Sequence, residues 1–380
     1  MKYFLVVGEA SGDLHASNLM REIQRLDPGA QFRFFGGDCM SEVGGAPIKH
    51  YREMAYMGFV DVLLHAKTIL KNMDLCKREI AQWMPDALIL VDYASFNLKI
   101  AEFVKKQLSS IQVHFYISPK IWAWKEYRIH AFRKYIDFMY VILPFETAFF
   151  AKHDFPVEYV GNPSVDSVTT FLDTAPDVTE LRERLGLDNR PILALLPGSR
   201  TGEIRRNLPL MLQVAAEYPN YQVVLAGAPG KDAAEYAPFL NAQTKLIFGQ
   251  TYTLLHLADA ALVTSGTATL ETALFDVPQV VCYAVPGGVL PNWIFKVAMH
   301  VPYFSLVNLI ADKLVVPELL GSMFAFKHVQ AALQPLLTDG PERKAQKQGY
   351  AEVRTRLGQP GAAAKAAQSM YAKINAATHD

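Results

Sequence analysis

The 380-residue chain is short of several things, and each shortage removes a class of function. Neither sign of charge prevails: 37 lysines and arginines offset 37 aspartates and glutamates, so no global field draws nucleic acid and none is expected as a partner. Cysteine is scarce. Cys39, Cys76 and Cys282 stand far apart without metal-ligand spacing, which excludes a disulfide framework and a structural zinc site and suits a reducing compartment. No run approaches the roughly 20 apolar residues of a membrane span. The opening stretch Lys2–Val7 is too short for a signal peptide and reads as a first buried strand, so the expected location is cytoplasmic. No Asp-x-Asp pair occurs to hold a divalent ion on a diphosphate and the ten histidines do not cluster, so no metal or other cofactor is expected. G-x-G-x-x-G is absent too, which removes the dinucleotide fingerprint.

What the chain has is apolar bulk. Hydrophobic residues make up 51% and charged ones 19%, a folded composition greasy enough to leave apolar surface for lipid. The length suits two domains. Short apolar runs alternate with longer amphipathic ones: strands are expected at Tyr3–Val7, Phe32–Phe35 and Ala87–Val91, with a helix at Leu14–Leu26. The rhythm restarts near Pro191, with strands at Ile192–Leu196, Gln222–Ala226, Lys245–Phe248, Ala261–Thr264 and Gln279–Tyr283. That pattern predicts an α/β protein of two doubly wound domains, 1–168 and 169–345, hinged around 162–178. The Ala-, Lys- and Gln-rich tail 346–380 predicts terminal helices broken at Gly358–Gly361, free to return to the first domain or to exchange between subunits of a homodimer.

Four loops follow strands and precede helices, where free backbone N–H groups and helix dipoles favour anions. Gly8-Glu9-Ala10-Ser11-Gly12-Asp13 is the first, and Asp13 also suits a helix cap. Asp92, in Val91-Asp92-Tyr93-Ala94-Ser95-Phe96-Asn97, ends an otherwise apolar strand, where a carboxylate can serve as general base or simply as a turn residue. Leu196-Pro197-Gly198-Ser199-Arg200 offers an arginine suited to a diphosphate. Ser265-Gly266-Thr267-Ala268-Thr269-Leu270-Glu271 offers donors for phosphate and a glutamate able to accept from ribose hydroxyls or merely to stabilise a helix. Two further stretches suit lipid or an interface, and equally a core: the apolar run 56–71, and Ser118-Pro119-Lys120-Ile121-Trp122-Ala123-Trp124-Lys125, where aromatic and basic residues mix.

Together with Met57-Gly58, Leu143-Pro144-Phe145-Glu146 and Ser305-Leu306-Val307-Asn308-Leu309, these motifs resemble, in order and over nearly the whole chain, the lipid A disaccharide synthases. The resemblance implies a GT-B fold with two Rossmann-like domains facing an interdomain cleft. It implies an inverting transfer of 2,3-diacylglucosamine from its UDP derivative to O6 of 2,3-diacylglucosamine 1-phosphate, giving a β-1,6 disaccharide and UDP, by an enzyme peripheral on the cytoplasmic face of the inner membrane of a Gram-negative bacterium. Carried over by position, Asp92, Glu9 and Asp13 are the catalytic candidates. Arg200, Ser199, Ser265, Gly266, Thr267, Glu271 and Asn308 are candidates around UDP, and Ser11, Met57, Phe59, Trp122, Trp124 and Lys125 are candidates for acceptor or lipid contact. A soluble UDP-N-acetylglucosamine 2-epimerase and a non-catalytic nucleotide-sugar or lipid-binding protein are the competing readings, the apolar run 56–70 counting against the first.

The chain departs from the family pattern at Ser95, where an aspartate is usual, and at Asn162, where a histidine is usual. Both positions are expected to tune acceptor or acyl-chain recognition. Ser95→Asp and Asn162→His, assayed in parallel with acceptors of different acyl length, should shift chain-length preference; preference unchanged in both would remove that role.

Overall fold

The structure, a computed structural model, describes residues 1–54, 66–241, 243–285 and 302–378. It forms two compact units, Met1–Pro163 with Pro360–Asp380, and Ser164–Gln359. The first runs β1 (Lys2–Val6), α1 (Ala10–Leu26), β2 (Gln31–Gly36), α2 (Asp38–Gly44), β3 (Lys49–His50), α3 (Ala66–Trp83), β4 (Ala87–Val91), α4 (Ala94–Gln107), β5 (Gln112–Tyr116), α5 (Ile121–Trp124), α6 (Ile129–Tyr135), β6 (Phe138–Val141), α7 (Pro144–Ala151) and β7 (Glu158–Tyr159). The second runs α8 (Pro163–Thr174), α9 (Val178–Arg184), β8 (Ile192–Leu196), α10 (Thr201–Ala215), β9 (Gln222–Gly227), α11 (Ala233–Tyr236), β10 (Thr244–Phe248), α12 (Thr251–Leu257), β11 (Ala260–Thr264), α13 (Thr267–Leu274), β12 (Gln279–Tyr283), α14 (Leu306–Ala311), β13 (Glu318–Leu320), α15 (Phe326–Leu333) and α16 (Pro341–Leu357). The chain then crosses back as α17 (Ala362–Thr378).

Both sheets are parallel. Their strand orders are β3-β2-β1-β4-β5-β6-β7 and β10-β9-β8-β11-β12-β13. A parallel sheet needs helices on both faces, so its inner strands are apolar throughout rather than alternating. β4, Ala-Leu-Ile-Leu-Val, is buried at every position. Successive side chains still part to opposite layers: Phe4, Val6, Leu88 and Leu90 enter one core, Tyr3, Leu5, Ile89 and Val91 the other. In each sheet the order reverses between two neighbours, β1 and β4 in the first and β8 and β11 in the second. The loops beyond their carboxyl ends are where doubly wound sheets bind ligands. All four loop motifs lie there.

Several elements differ from the sequence reading. β5 and β6 escape it although both are largely apolar, because neither is set off by clear turn residues. α1 starts at Ala10 rather than Leu14, since Asp13 N–H already reaches the Glu9 carbonyl at 3.0 Å, which leaves only Val7, Gly8 and Glu9 as loop. The tail does not form a body of its own. Gly358 and Gly361, with φ of 78° and 113°, part its helices. α16 stays with the second unit, its Tyr350 hydroxyl donating to the Val277 carbonyl, and α17 joins the first. Ala366, Ala367, Met370 and Ile374 of α17 share a core with Ala16, Leu19, Met20 and Ile23 of α1. Lys373 adds an ion pair to Glu158 at 2.7 Å and lies 4.9 Å from the ring centroids of Phe138 and Tyr140. Of the apolar run 56–71, residues 56–65 lie outside the described residues, and the remainder opens α3. Among the described residues no helix is long and apolar enough to cross a membrane.

Since Met370 is fully buried in the α1–α17 contact, Met370→Ala should cost roughly 2–5 kcal/mol. The check is a urea titration, with the midpoint lowered and the slope unchanged.

Candidate active site

At the switch point of the first sheet the backbone is strained. Asp92 and Tyr93, directly after β4, hold φ of 43° and 45°, and Ile117, directly after β5, holds 65°. Left-handed conformations at consecutive non-glycine residues persist only where the surroundings enforce them. Here Asn97, fully buried one turn into α4, donates its Nδ2 to the carbonyls of Val91 at 3.2 Å and Asp92 at 2.7 Å. The Tyr93 hydroxyl donates to the Met54 carbonyl at 2.9 Å. Its ring lies where a Gly8 side chain would be, 2.2 Å from an added Cβ, so only glycine lets β1 and β4 end side by side with this ring between them.

Asp92 is the carboxylate this arrangement leaves exceptional. Desolvation raises it first, and the nearby Glu9 carboxylate raises it further; the Lys120 ammonium and the Tyr93 amide relieve only part of this, and the group settles at about 6. Glu9 caps α1 with extended backbone and accepts from the Ser11 hydroxyl at 3.0 Å. The two acids and Ser11 therefore meet at one sheet edge.

Asp13 has a different employment. It is 2% exposed and accepts the backbone N–H groups of Gly37 at 2.7 Å, Cys39 at 2.9 Å and Met40 at 3.2 Å, capping α2 from a neighbouring helix. A carboxylate so engaged holds α1 against α2. Trp122 likewise turns inward. It is 8% exposed, its Nε1–H donates to Glu146 Oε1 at 3.2 Å, and its ring meets Phe145 edge-on at 4.9 Å. Glu146 also accepts from the amides of Ile142 and Leu143, and its complete burial pushes it up to about 7. The Leu143–Glu146 motif thus anchors the Trp122 loop rather than presenting Trp122 to lipid. Lys125 ends α5 in a half-buried position. Met57, Phe59 and the side chain of Trp124 lie outside the described residues.

The second sheet repeats the plan. Between β8 and α10, Gly198 holds φ 110°, and an added Cβ would fall 2.6 Å from Glu203 Oε2. Glu203, 8% exposed, accepts from the Ser199 and Arg200 amides at 3.2 and 3.3 Å and from Arg200 Nη1 at 3.1 Å. It steers the mostly exposed guanidinium without burying it. Beneath, Asn207 donates to the Pro197 carbonyl and the Thr264 hydroxyl and accepts from the Ala284 amide, tying the ends of β8, β11 and β12. Ser265 donates to the Phe304 carbonyl at 3.1 Å, and Gly266 caps α13, which starts at an exposed Thr267. Glu271, one turn in, accepts the Tyr252 hydroxyl at 2.8 Å, and burial raises its carboxyl. Asn308 is fully buried and saturated. Its amide donates to the Val316 carbonyl and Glu318, and its oxygen accepts from the amides of Val315 and Val316. Its side chain builds the Ser305 turn, where Glu318 also accepts from the Phe304 and Ser305 amides. Sequence reasoning missed Tyr252 and Glu318, which belong to no motif; Glu146 and Glu203 stood in or beside motifs with no structural role read for them.

Among the described residues no three histidines, cysteines, aspartates or glutamates converge as a metal site. The arrangement offers a desolvated carboxylate at one sheet edge, and at the other an arginine, hydroxyl donors and a helix start. That is equipment for taking a proton and for stabilising a leaving diphosphate.

The lipid-A-disaccharide synthase of Myxococcus xanthus is 38% identical over 377 residues, spanning 97% of this chain and 96% of its own length. The lipid-A-disaccharide synthase of Geobacter metallireducens is 36% identical over 96% and 95%. Among solved structures, the UDP-GlcNAc 2-epimerase of Neisseria meningitidis bound to UDP-GlcNAc aligns with TM-score 0.69 over 98% of this chain and 99% of that one; at 12% identity the likeness shows the fold alone, two Rossmann-like units of the GT-B type. The family model for lipid-A-disaccharide synthetase matches residues 3–373. The chain therefore belongs to the lipid-A-disaccharide synthetase family, the glycosyltransferases that join two acylated glucosamines in lipid A biosynthesis.

Proposed function

We propose that, in its family's reaction, Asp92 takes the proton from O6 of 2,3-diacylglucosamine 1-phosphate as that oxygen attacks the anomeric carbon of UDP-2,3-diacylglucosamine. The observation that carries this reading is the contrast among the motif carboxylates. Asp13 and Glu203 each serve backbone amides, whereas Asp92 is desolvated, raised to about 6 and set on a strained turn at the sheet edge. One displacement inverts the anomeric centre: the new C–O bond forms as the bond to the diphosphate breaks, the proton passes to Asp92, and UDP carries away the electron pair. UDP is received by Arg200, with Ser199, Ser265, Gly266 and Thr267 at the helix starts, while Glu271 accepts from the ribose. Glu9, with Ser11, keeps Asp92 basic by electrostatic repulsion. Asp13 and Asn308 hold the two loops in shape. Acyl-chain contact at the cytoplasmic face of the membrane belongs to the same reading, supported by the family's lipid-linked sugars and the apolar run 56–71.

The test is UDP release by the purified protein in detergent micelles with EDTA, with and without acceptor. Release is expected only with acceptor; release without it, or none with any acyl length, would overturn the reading. In this assay Asp92→Asn should lose turnover while UDP binding survives, and Glu271→Ala should weaken UDP binding itself. The base form of Asp92 prevails above about pH 6, so kcat/KM should fall about tenfold per pH unit below that value. The same shift costs stability. A carboxyl near 6 when folded and about 3.9 when unfolded weighs nothing on the fold below pH 3.9, then destabilises it increasingly up to pH 6 and steadily above, by up to roughly 3 kcal/mol. Asp92→Asn should therefore melt higher than the parent at pH 7, and at about the same temperature at pH 3.5.

A further inference from the structure

Near the start of α4 lies a cation that the proton transfer does not use. Arg128, half-buried just before α6, donates its Nη2 to the Ser95 hydroxyl at 2.8 Å. A half-buried guanidinium ordinarily meets a carboxylate. This one forms no ion pair among the described residues. The nearby Glu126 is taken by His153 at 3.0 Å. Ser95 stands in the first turn of α4, three residues beyond Asp92, and α4, 14 residues long, directs the positive end of its dipole at the same place. The adjoining loop carries Lys120, exposed and likewise without an ion-pair partner among the described residues, yet close enough for its ammonium to act on both Asp92 and Glu146. The two loops are neighbours because β4 and β5 pair through Val91 and Tyr116, and the Asp92 amide donates to the Tyr116 carbonyl at 3.2 Å.

We propose that Arg128, held in place by the Ser95 hydroxyl and assisted by Lys120, binds the phosphate monoester of the acceptor. The proposal rests on the reading that Asp92 meets the acceptor hydroxyl, and adds how the far side of that sugar is recognised. The electrostatic need is plain: Glu9 and Asp92 put negative charge at this edge, and a phosphate dianion approaching it is repelled unless cations stand between. A guanidinium meets a phosphate through two parallel N–H donors, and a neutral hydroxyl partner orients it without cancelling its charge.

The experiment compares Arg128→Gln and Arg128→Lys in the full chain, with phosphorylated and unphosphorylated 2,3-diacylglucosamine as acceptors. Arg128→Gln should raise the KM for the phosphorylated acceptor roughly tenfold or more, the scale of a charge-assisted hydrogen bond, with donor KM and kcat nearly unchanged. Arg128→Lys should recover part of the loss, and both variants should treat the unphosphorylated acceptor like the parent. An equal loss with both acceptors would make Arg128 a structural residue and overturn the proposal, as would an unchanged KM. Should the parent not turn over the unphosphorylated acceptor, competition by soluble glucosamine 1-phosphate against glucosamine decides the same question: inhibition by the phosphate ester must weaken in Arg128→Gln. If the parent releases no UDP with any acceptor, it is the underlying reading that fails, and glucosamine 1-phosphate binding still decides the role of Arg128.

Discussion

Everything at the two sheet edges depends on how backbone amides are satisfied where parallel strands end and helices begin. Each such junction turns unpaired N–H groups toward a partly dry crevice, and a donor left unmet there costs about 1–3 kcal/mol. This protein meets the need with carboxylates. Asp13 serves Gly37, Cys39 and Met40; Glu146 serves Ile142 and Leu143; Glu203 serves Ser199 and Arg200; Glu318 serves Phe304 and Ser305. The loops acquire fixed shapes from these bonds.

Asp92 stands out against that background. It follows the end of β4, in a left-handed turn clamped by Asn97, with Glu9 beside it. Burial and like charge disfavour its ionised form, which makes it a stronger base than a solvated carboxylate would be. The strain and the raised pKa have one origin, the convergence of β1 and β4 at the point where strand order reverses, with Tyr93 packed on Gly8 between them. A site that gains reactivity from desolvation gives up stability for it.

The motifs were legible as positions and much less so as roles. Glu9, Asp92, Arg200 and Glu271 fall at sheet edges because a carboxylate or arginine at the end of an apolar strand has few other places to go. Asp13, Asn308 and Trp122 sit in the same motifs, yet their side chains turn inward to cap α2, to build the turn before α14 and to anchor α5. Spacing alone cannot separate these fates, because a cap and a ligand-binding group occupy the same register and differ only in where the next element packs.

Local chemistry determined the alternation of apolar strands and amphipathic helices, the restart of that alternation near Pro191, and the glycine turns. Those features depend on neighbours within a turn or a strand, so periodicity carries them. Tertiary structure decided that α17 returns to pack on α1 while α16 remains with the second unit, that Glu146 and Glu203 hold loops in shape, and that Arg128 meets Ser95 rather than a carboxylate. Each of these joins residues whose proximity follows from strand order and helix packing, and no local pattern in the chain encodes a distance that only the folded sheet creates.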